Sequence, residues 1–477
     1  MNGGGDFIKE NEMLNNSVGF LIVKLSFPVM AGMIVYSLFS LVDTFYVARL
    51  GSKALAAITI SMPIQILITS VAAATGVGLT SFIARSLGQG EVNMADNTAW
   101  HGVIAGLIYG VLFFFVGMSY IDDLLIFFSC PPEIFLLSKS YLQIILIACV
   151  FTFIPILLGS IIQGEGNTFL PVFAALLAII FNVVLDPVFI FGLGFVKGMG
   201  LDGAAVASVL AQILSTFLII GIVCKRQAFL SWSWRNFKPS LKVIIEIYKV
   251  GLPTMIMEIT GVVIMLYINR VLADHSYASI AALGIFLRVR SLAYMPVYGI
   301  SQGAMPIAAF AYGAGNLDRV KETIIKASIL SLFFMGGAWL IMQYYPLWII
   351  DFFSDDPSLT LLASRCMRLA TICMPLMGPL LILYTVFQAL GKGTTAMCLS
   401  LLRQLGFFLP LLLILPAYFS INGVWLAFSI SELMSAAVAI LFLIRLWREL
   451  QTGKKLALLM LFKTRYMSRR LLAWLRW

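Results

Sequence analysis

The sequence predicts an all-α integral membrane protein: twelve transmembrane helices in two pseudo-symmetric six-helix lobes around a central cavity. Three observations carry this reading. The first is composition: of 477 residues, 61% are hydrophobic and only 11% charged, with a mean hydropathy of +0.99. An average soluble chain is about 45–50% apolar and about 25% charged. The second is length. A crossing helix takes about 20 apolar residues, so the chain holds roughly twelve with short loops and leaves no room for a separate nucleotide-binding domain. The third is an internal repeat. Pro28 and Pro253, Gly78 and Gly303, Gly88 and Gly313, Pro132 and Pro357, Gln163 and Gln388, and Gly166 and Gly391 are each separated by 225 residues. Chance matches of Gly and Pro are common, but a constant offset over most of a half is not.

The elements follow in order. A polar segment, 1–17, has no basic start leading into a short apolar core, so no cleaved signal is expected. The first lobe, 18–224, has apolar runs at 18–47, 54–86, 97–120, 134–161, 169–193 and 203–224. The longest polar interruption, 225–241 (KRQAFLSWSWRNFKPSL), reads as an inter-lobe linker with interfacial Trp232 and Trp234. The second lobe, 242–450, has runs at 242–273, 278–311, 321–350, 358–390, 394–416 and 423–448, and a basic tail, 451–477, follows. Six spans per repeat is an even number, so the halves share one orientation about an axis along the membrane normal. Secondary transporters use such parallel repeats, with substrate bound between the lobes near the midplane.

Charge orients the array. The linker carries Lys225, Arg226, Arg235 and Lys238, the loop near 312–326 carries Arg319, Lys321 and Lys326, and the tail is rich in Lys and Arg. The opposite loops carry Asp122, Asp123, Glu133, Asp351, Asp355 and Asp356. By the positive-inside rule both termini are cytoplasmic. The net charge of +10 and pI near 9.3 then reflect membrane orientation, and no nucleic-acid partner is expected. The tail also suits a basic helix lying on inner-leaflet lipids.

Charges inside spans are costly and point to function. Asp43 lies late in the first span, Asn182 and Asp186 share a face of the fifth at i, i+4, Glu258 follows Pro253 in the seventh, and Glu432 is in the twelfth. Two carboxylates and an amide can take up and release protons, because burial and like-charge proximity favour the protonated carboxyl. They can equally give oxygen ligands to a monovalent cation. Glu432 reads as structural. Glu258 and Arg288 are the candidates for a second-lobe substrate or coupling site, and Arg290 and Arg403 also lie inside spans. His101 and His275 read as incidental. Pro28 removes one backbone hydrogen bond from the helix that carries Asp43, which makes it a candidate conformational switch.

No Walker A sequence, H-E-x-x-H, G-x-S-x-G or Cys/His metal spacing occurs, so neither ATP hydrolysis nor another enzymatic activity is expected. The six cysteines have no C-x-x-C and read as small buried hydrophobes.

Six segments together resemble the multidrug and toxic compound extrusion (MATE) family. They are VDTFYVARLGSKALAA (42–57), QGEGNTFLPVF (163–173), FNVVLDPVFIFG (181–192), GLDGAAVAS (200–208), GISQGAMPIAAFAYGAGN (299–316) and LSLLRQ (399–404). The second-lobe segments look most like the bacterial MepA-like and DinF-like branches. The resemblance implies export of organic, often cationic and amphipathic compounds, driven by inward H+ or Na+. It also implies that Asp43, Asn182, Asp186 and Ser208 handle the coupling ion, and that Pro28 is the bending proline. Glu258 resembles the seventh-helix acid of many members, but 369–388 lacks the tenth-helix Asp of the branch best known for Na+ coupling. That departure weakens a second-lobe Na+ site and favours coupling in the first lobe; the antiport is expected to use H+, with Na+ possible.

The expectation is therefore a secondary active multidrug antiporter in a bacterial cytoplasmic membrane, working as a monomer. Its partners are small organic substrates, a coupling cation and membrane lipids, with no cofactor. The alternative is a lipid-linked oligosaccharide or peptidoglycan-precursor flippase of the same superfamily, for which arginines such as Arg288 and Arg290 would meet a pyrophosphate.

Overall fold

The computed structural model describes residues 12–128, 130–193, 196–225, 230–273, 277–353 and 356–474. His275, Asp355, Arg226 and the first eleven residues lie outside them. Ten of the described helices are long and apolar enough to cross a membrane, and two bent pairs complete twelve spans. Spans one to six are Val18–Ala48, Ser52–Gly88, Val92–Ser119, Pro132–Ile147 with Cys149–Gly164, Phe169–Phe191 and Leu201–Lys225. Spans seven to twelve are Leu241–Ala273, Tyr277–Gly313, Leu317–Tyr344, Pro357–Ala370 with Met377–Ala389, Gly393–Phe419 and Ile421–Trp474. The twelfth continues into the tail as one helix; the tail's side chains beyond Thr452 lie outside the described residues.

Local chemistry sets the ends. Ser17 caps the first span by accepting from the Phe20 N–H at 3.4 Å, and Asn316 caps the ninth through the Arg319 N–H at 3.1 Å. The ninth span stops at Tyr344, short of the expected 350, because Pro346 cannot donate to the helix and disfavours helical geometry at Tyr345. A separate short helix, Pro346–Ile350, follows. In the tenth span the break falls at Thr371–Cys373, ahead of a tight turn, Met374–Leu376, that contains Pro375.

The lobes join along two helix pairs. Span one packs on span eight, and span two on span seven. The seam is reciprocal. A Cβ added at Gly88 would fall 2.1 Å from the Phe310 carbonyl oxygen, and one at Gly313 would fall 2.1 Å from that of Arg85. These positions are repeat partners, so the internal two-fold is built into the contact. In lipid no hydrophobic drive pulls helices together, and such bare crossings let dispersion and polar contacts do so. The Ser81 hydroxyl donates across the seam to the Gln388 carbonyl at 2.7 Å, and Arg85 meets Glu246 at 3.7 Å. All these contacts lie at the end where spans one and seven begin.

The linker closes the same end. Asp96, buried on the third span, accepts from the Trp232 N–H at 3.2 Å, from Asn236 Nδ2 at 2.8 Å and from the Ser231 hydroxyl. His101 Nε2 accepts from the Ser240 N–H at 3.1 Å, and its Nδ1 faces the Asn97 carbonyl at 2.8 Å. This histidine is thus a structural clasp for the linker. Trp232 and Trp234 both meet Trp100 edge-on.

Candidate functional site

The first-lobe site is assembled from four spans. Asp186 is fully buried on the fifth, one turn after Asn182, whose Nδ2 donates to Asp186 Oδ1 at 3.3 Å. Asp43, on the first span, brings its carboxyl within hydrogen-bonding reach of Asp186. Asp186 Oδ2 is buried and takes no N–H or hydroxyl donor among the described residues. Two carboxylates cannot hydrogen-bond each other, since each only accepts. The pair as placed therefore calls for one proton, or for a cation in its stead.

Tyr141 of the fourth span and Gln65 of the second complete the wall. Tyr141 is buried, close to Gln65 and within the field of both carboxylates. Neither was legible as a site residue, because a Tyr or Gln within an apolar run is unremarked until tertiary packing places it. Ser208 is half-buried on the sixth span, and among the described residues it makes no hydrogen bond to Asp43, Asn182 or Asp186. Pro28 lies within an unbroken first helix, between the seam contacts of Ser26 and Met30 with span eight. The proline is therefore a member of the inter-lobe contact, fifteen residues before Asp43.

The second lobe differs. Glu258 and Arg288 are both exposed, and no ion pair joins them. Arg290 instead turns inward. Its Nη2 donates to Tyr294 Oη at 3.0 Å and lies 3.4 Å from Glu432 Oε1, with Phe286, Tyr294 and Phe428 around the guanidinium. A chamber of about 480 Å³ lies between the lobes, walled by Met33 and Tyr36 of the first span and by Arg290, Tyr294, Tyr298 and Arg403 of the second lobe. That volume suits a drug-sized ligand.

The MatE family profile matches residues 28–188 and 253–414, one stretch per lobe. The chain belongs to the MATE family. Its members are transporters, and this one is a multi-pass membrane protein of the multidrug-efflux type. The multidrug export protein MepA of Staphylococcus haemolyticus is 23% identical over 442 residues, covering 92% of this chain and 96% of that protein. A multidrug resistance MATE transporter solved in an outward-facing conformation superposes with a TM-score of 0.85 at 27% identity, covering 93% of this chain and 98% of that one. A MOP superfamily transporter from Pyrococcus furiosus, described as having a binding pocket of reverse polarity that suggests a different function, gives 0.85 at 26% identity, covering 92% and 98%.

Proposed function

We propose that this MATE protein exports organic, often cationic amphipathic compounds in exchange for H+, from a bacterial cytoplasmic membrane with both termini inside. The observation that carries the reading is the Asp43–Asp186 pair, in which a half-buried and a fully buried carboxyl lie close enough to share one proton. Na+ competes for the same oxygens, together with Asn182 and the Ser208 hydroxyl, and the test below separates the two ions.

The position of the seam supports a direction. The closed end carries Arg85, Lys249, Lys392 and the linker's Lys238, whereas Asp122, Glu133 and Asp202 sit at the other. Under the positive-inside rule the closed end faces the cytoplasm and the chamber opens outward. An external proton then reaches the carboxyl pair in this state, and the lobes rock about the seam to deliver it inside. A membrane potential of 100 mV contributes about 2.3 kcal/mol per charge moved, and each pH unit adds about 1.4 kcal/mol per proton. One or two protons therefore support a substantial drug gradient.

The test uses inside-out proteoliposomes and a fluorescent organic cation, with pH and Na+ gradients imposed separately. The expected result is uptake driven by the pH gradient and reduced to background in Asp43→Asn. Uptake driven by Na+ alone would move the coupling ion to Na+. No driven uptake with either ion, in wild type and variant alike, would overturn the reading and put the lipid-linked precursor flippase first.

A further inference from the structure

Arg403 stands apart from the other buried charges of the second lobe. It lies in the eleventh span, where Leu402–Phe408 widens into a π-type turn, a feature often found at functional sites. Its Nε is buried and takes no hydrogen-bond acceptor. Among the described residues no hydrogen bond and no ion pair holds the guanidinium; it lies in the field of Tyr384 and of Glu432. Arg290, the neighbouring cation, already has Glu432 at 3.4 Å. Both arginines line the 480 Å³ chamber and also a second pocket of about 200 Å³ behind it, so they stand in the wall between the two.

A charge held in the middle of a membrane protein without a counter-ion is expensive, and such residues mark ligand pathways. A guanidinium presents planar, paired donors that match a carboxylate or phosphate. The tyrosines add to this. Tyr294 accepts from Arg290, which leaves its phenol proton free to be donated, and Tyr298 lines the chamber beside it. The rest of the chamber wall, with Met33, Leu287, Met295, Met377 and Leu381, is apolar and adaptable.

We infer that the chamber holds the acidic group of an amphiphile, a carboxylate or phosphate seated on Arg403 with Arg290 behind it, while the apolar body packs on the methionines and leucines. Among organic cations the site would thus favour those that also carry an acidic group over those that carry none. This rests on the chamber being the exporter's substrate path. It separates the two ends of the mechanism: the coupling ion is taken by the first lobe, and the acidic head by the second.

The test is a binding measurement in nanodiscs, which needs no gradient. Its failure leaves proton antiport standing, and a failure of antiport leaves this measurement intact. The probes are a rhodamine with a free carboxylate and its ethyl ester, which share one fluorescent body, read by polarisation. Wild type should bind the acid at least about tenfold more tightly than the ester, the scale of one charge-assisted hydrogen bond. Arg403→Gln should abolish that preference, and Arg403→Lys should restore part of it. Monodisperse elution and an intact thermal transition establish that the variants are folded. Nanodiscs of phosphatidylcholine alone and with phosphatidylglycerol separate the sources of the acid. Preference that falls as the anionic lipid is added assigns the site to a lipid headgroup, and preference that persists assigns it to a soluble substrate. Equal binding of acid and ester by wild type, or an undiminished preference in Arg403→Gln, would overturn the proposal.

Discussion

The two lobes are copies of one scaffold that bury opposite charges. In the first, Asp43 and Asp186 face each other beside Asn182, Tyr141 and Gln65. In the second, 225 residues further on, the position of Asp43 is held by Ile268, buried and lining the smaller pocket, and that of Gln65 by Arg290. Asp186 in turn is matched by Leu411, so both acids are absent from the second lobe, and a cation stands where Gln65 does. The difference shows that one duplicated scaffold can carry different charges at matched places; on the reading proposed above, those side chains assign each lobe its ligand. A cation-binding lobe and an anion-binding lobe can then be coupled by one rocking motion, each biasing the same seam.

The sharpest way to break the comparison is to give the first lobe the second lobe's residue. Gln65→Arg would place a permanent cation beside Tyr141, within reach of the carboxyl pair. Guanidinium does not titrate in the working range, so it would occupy the site in place of the coupling ion and could not leave. Gradient-driven uptake should fall to background while the folded protein survives, since the new charge has two acids to pair with. Uptake in proteoliposomes and a thermal transition, measured together, check this. Retained uptake would mean that position 65 lies outside the coupling pocket.

A smaller effect is expected at the other pair. Glu432→Gln would leave Arg290 buried without its anion, and removing one partner of a buried ion pair costs about 3–5 kcal/mol. The double variant with Arg290→Gln should recover most of that loss, because neither charge is then stranded. Thermal unfolding of the three variants in one detergent reads the cycle. Equal destabilisation by the single and double variants would show that Glu432 packs without depending on Arg290.

Much of this was visible in the sequence. Acids in apolar runs are rare enough that Asp43 and Asp186 announce themselves, with the amide of Asn182 one turn from the latter, and the repeat follows from Gly and Pro spacing. The rotational setting of a helix is harder to see. Arg288 and Arg290 are two residues apart, which turns them about 200° around the helix axis, so one is exposed and the other faces the core. Arg290, Tyr294 and Tyr298 recur at i, i+4 and i+8, a stripe that marks one face and was the available signal. The Arg290–Glu432 pair joins spans eight and twelve across 142 residues of sequence, and only packing reveals it.

Bends show the same limit from another side. The tenth span bends by 50° at Thr371–Cys373, next to Pro375, and a proline is a sufficient cause of such a bend. Yet the fourth span bends by 49° at Ala148, the repeat partner of Cys373, and the residue matching Pro375 is Val150. Gly110 lies against Val150 so closely that a Cβ there would fall 2.5 Å from its Cα, and the Thr152 hydroxyl donates to Gln212 at 2.6 Å. Pro155 lies further along the same helix, so neighbouring helices hold the fourth-span bend in place without a proline at the matching position. If the same holds in the second lobe, Pro375→Ala should leave the bend intact. The change in stability should be below about 1 kcal/mol, since alanine restores a donor and costs little in a helix. Distances between spin labels placed on the two halves of the tenth span would read the angle. A straightened span would show that the two lobes reach one shape by different means, tertiary packing in the first and backbone chemistry in the second.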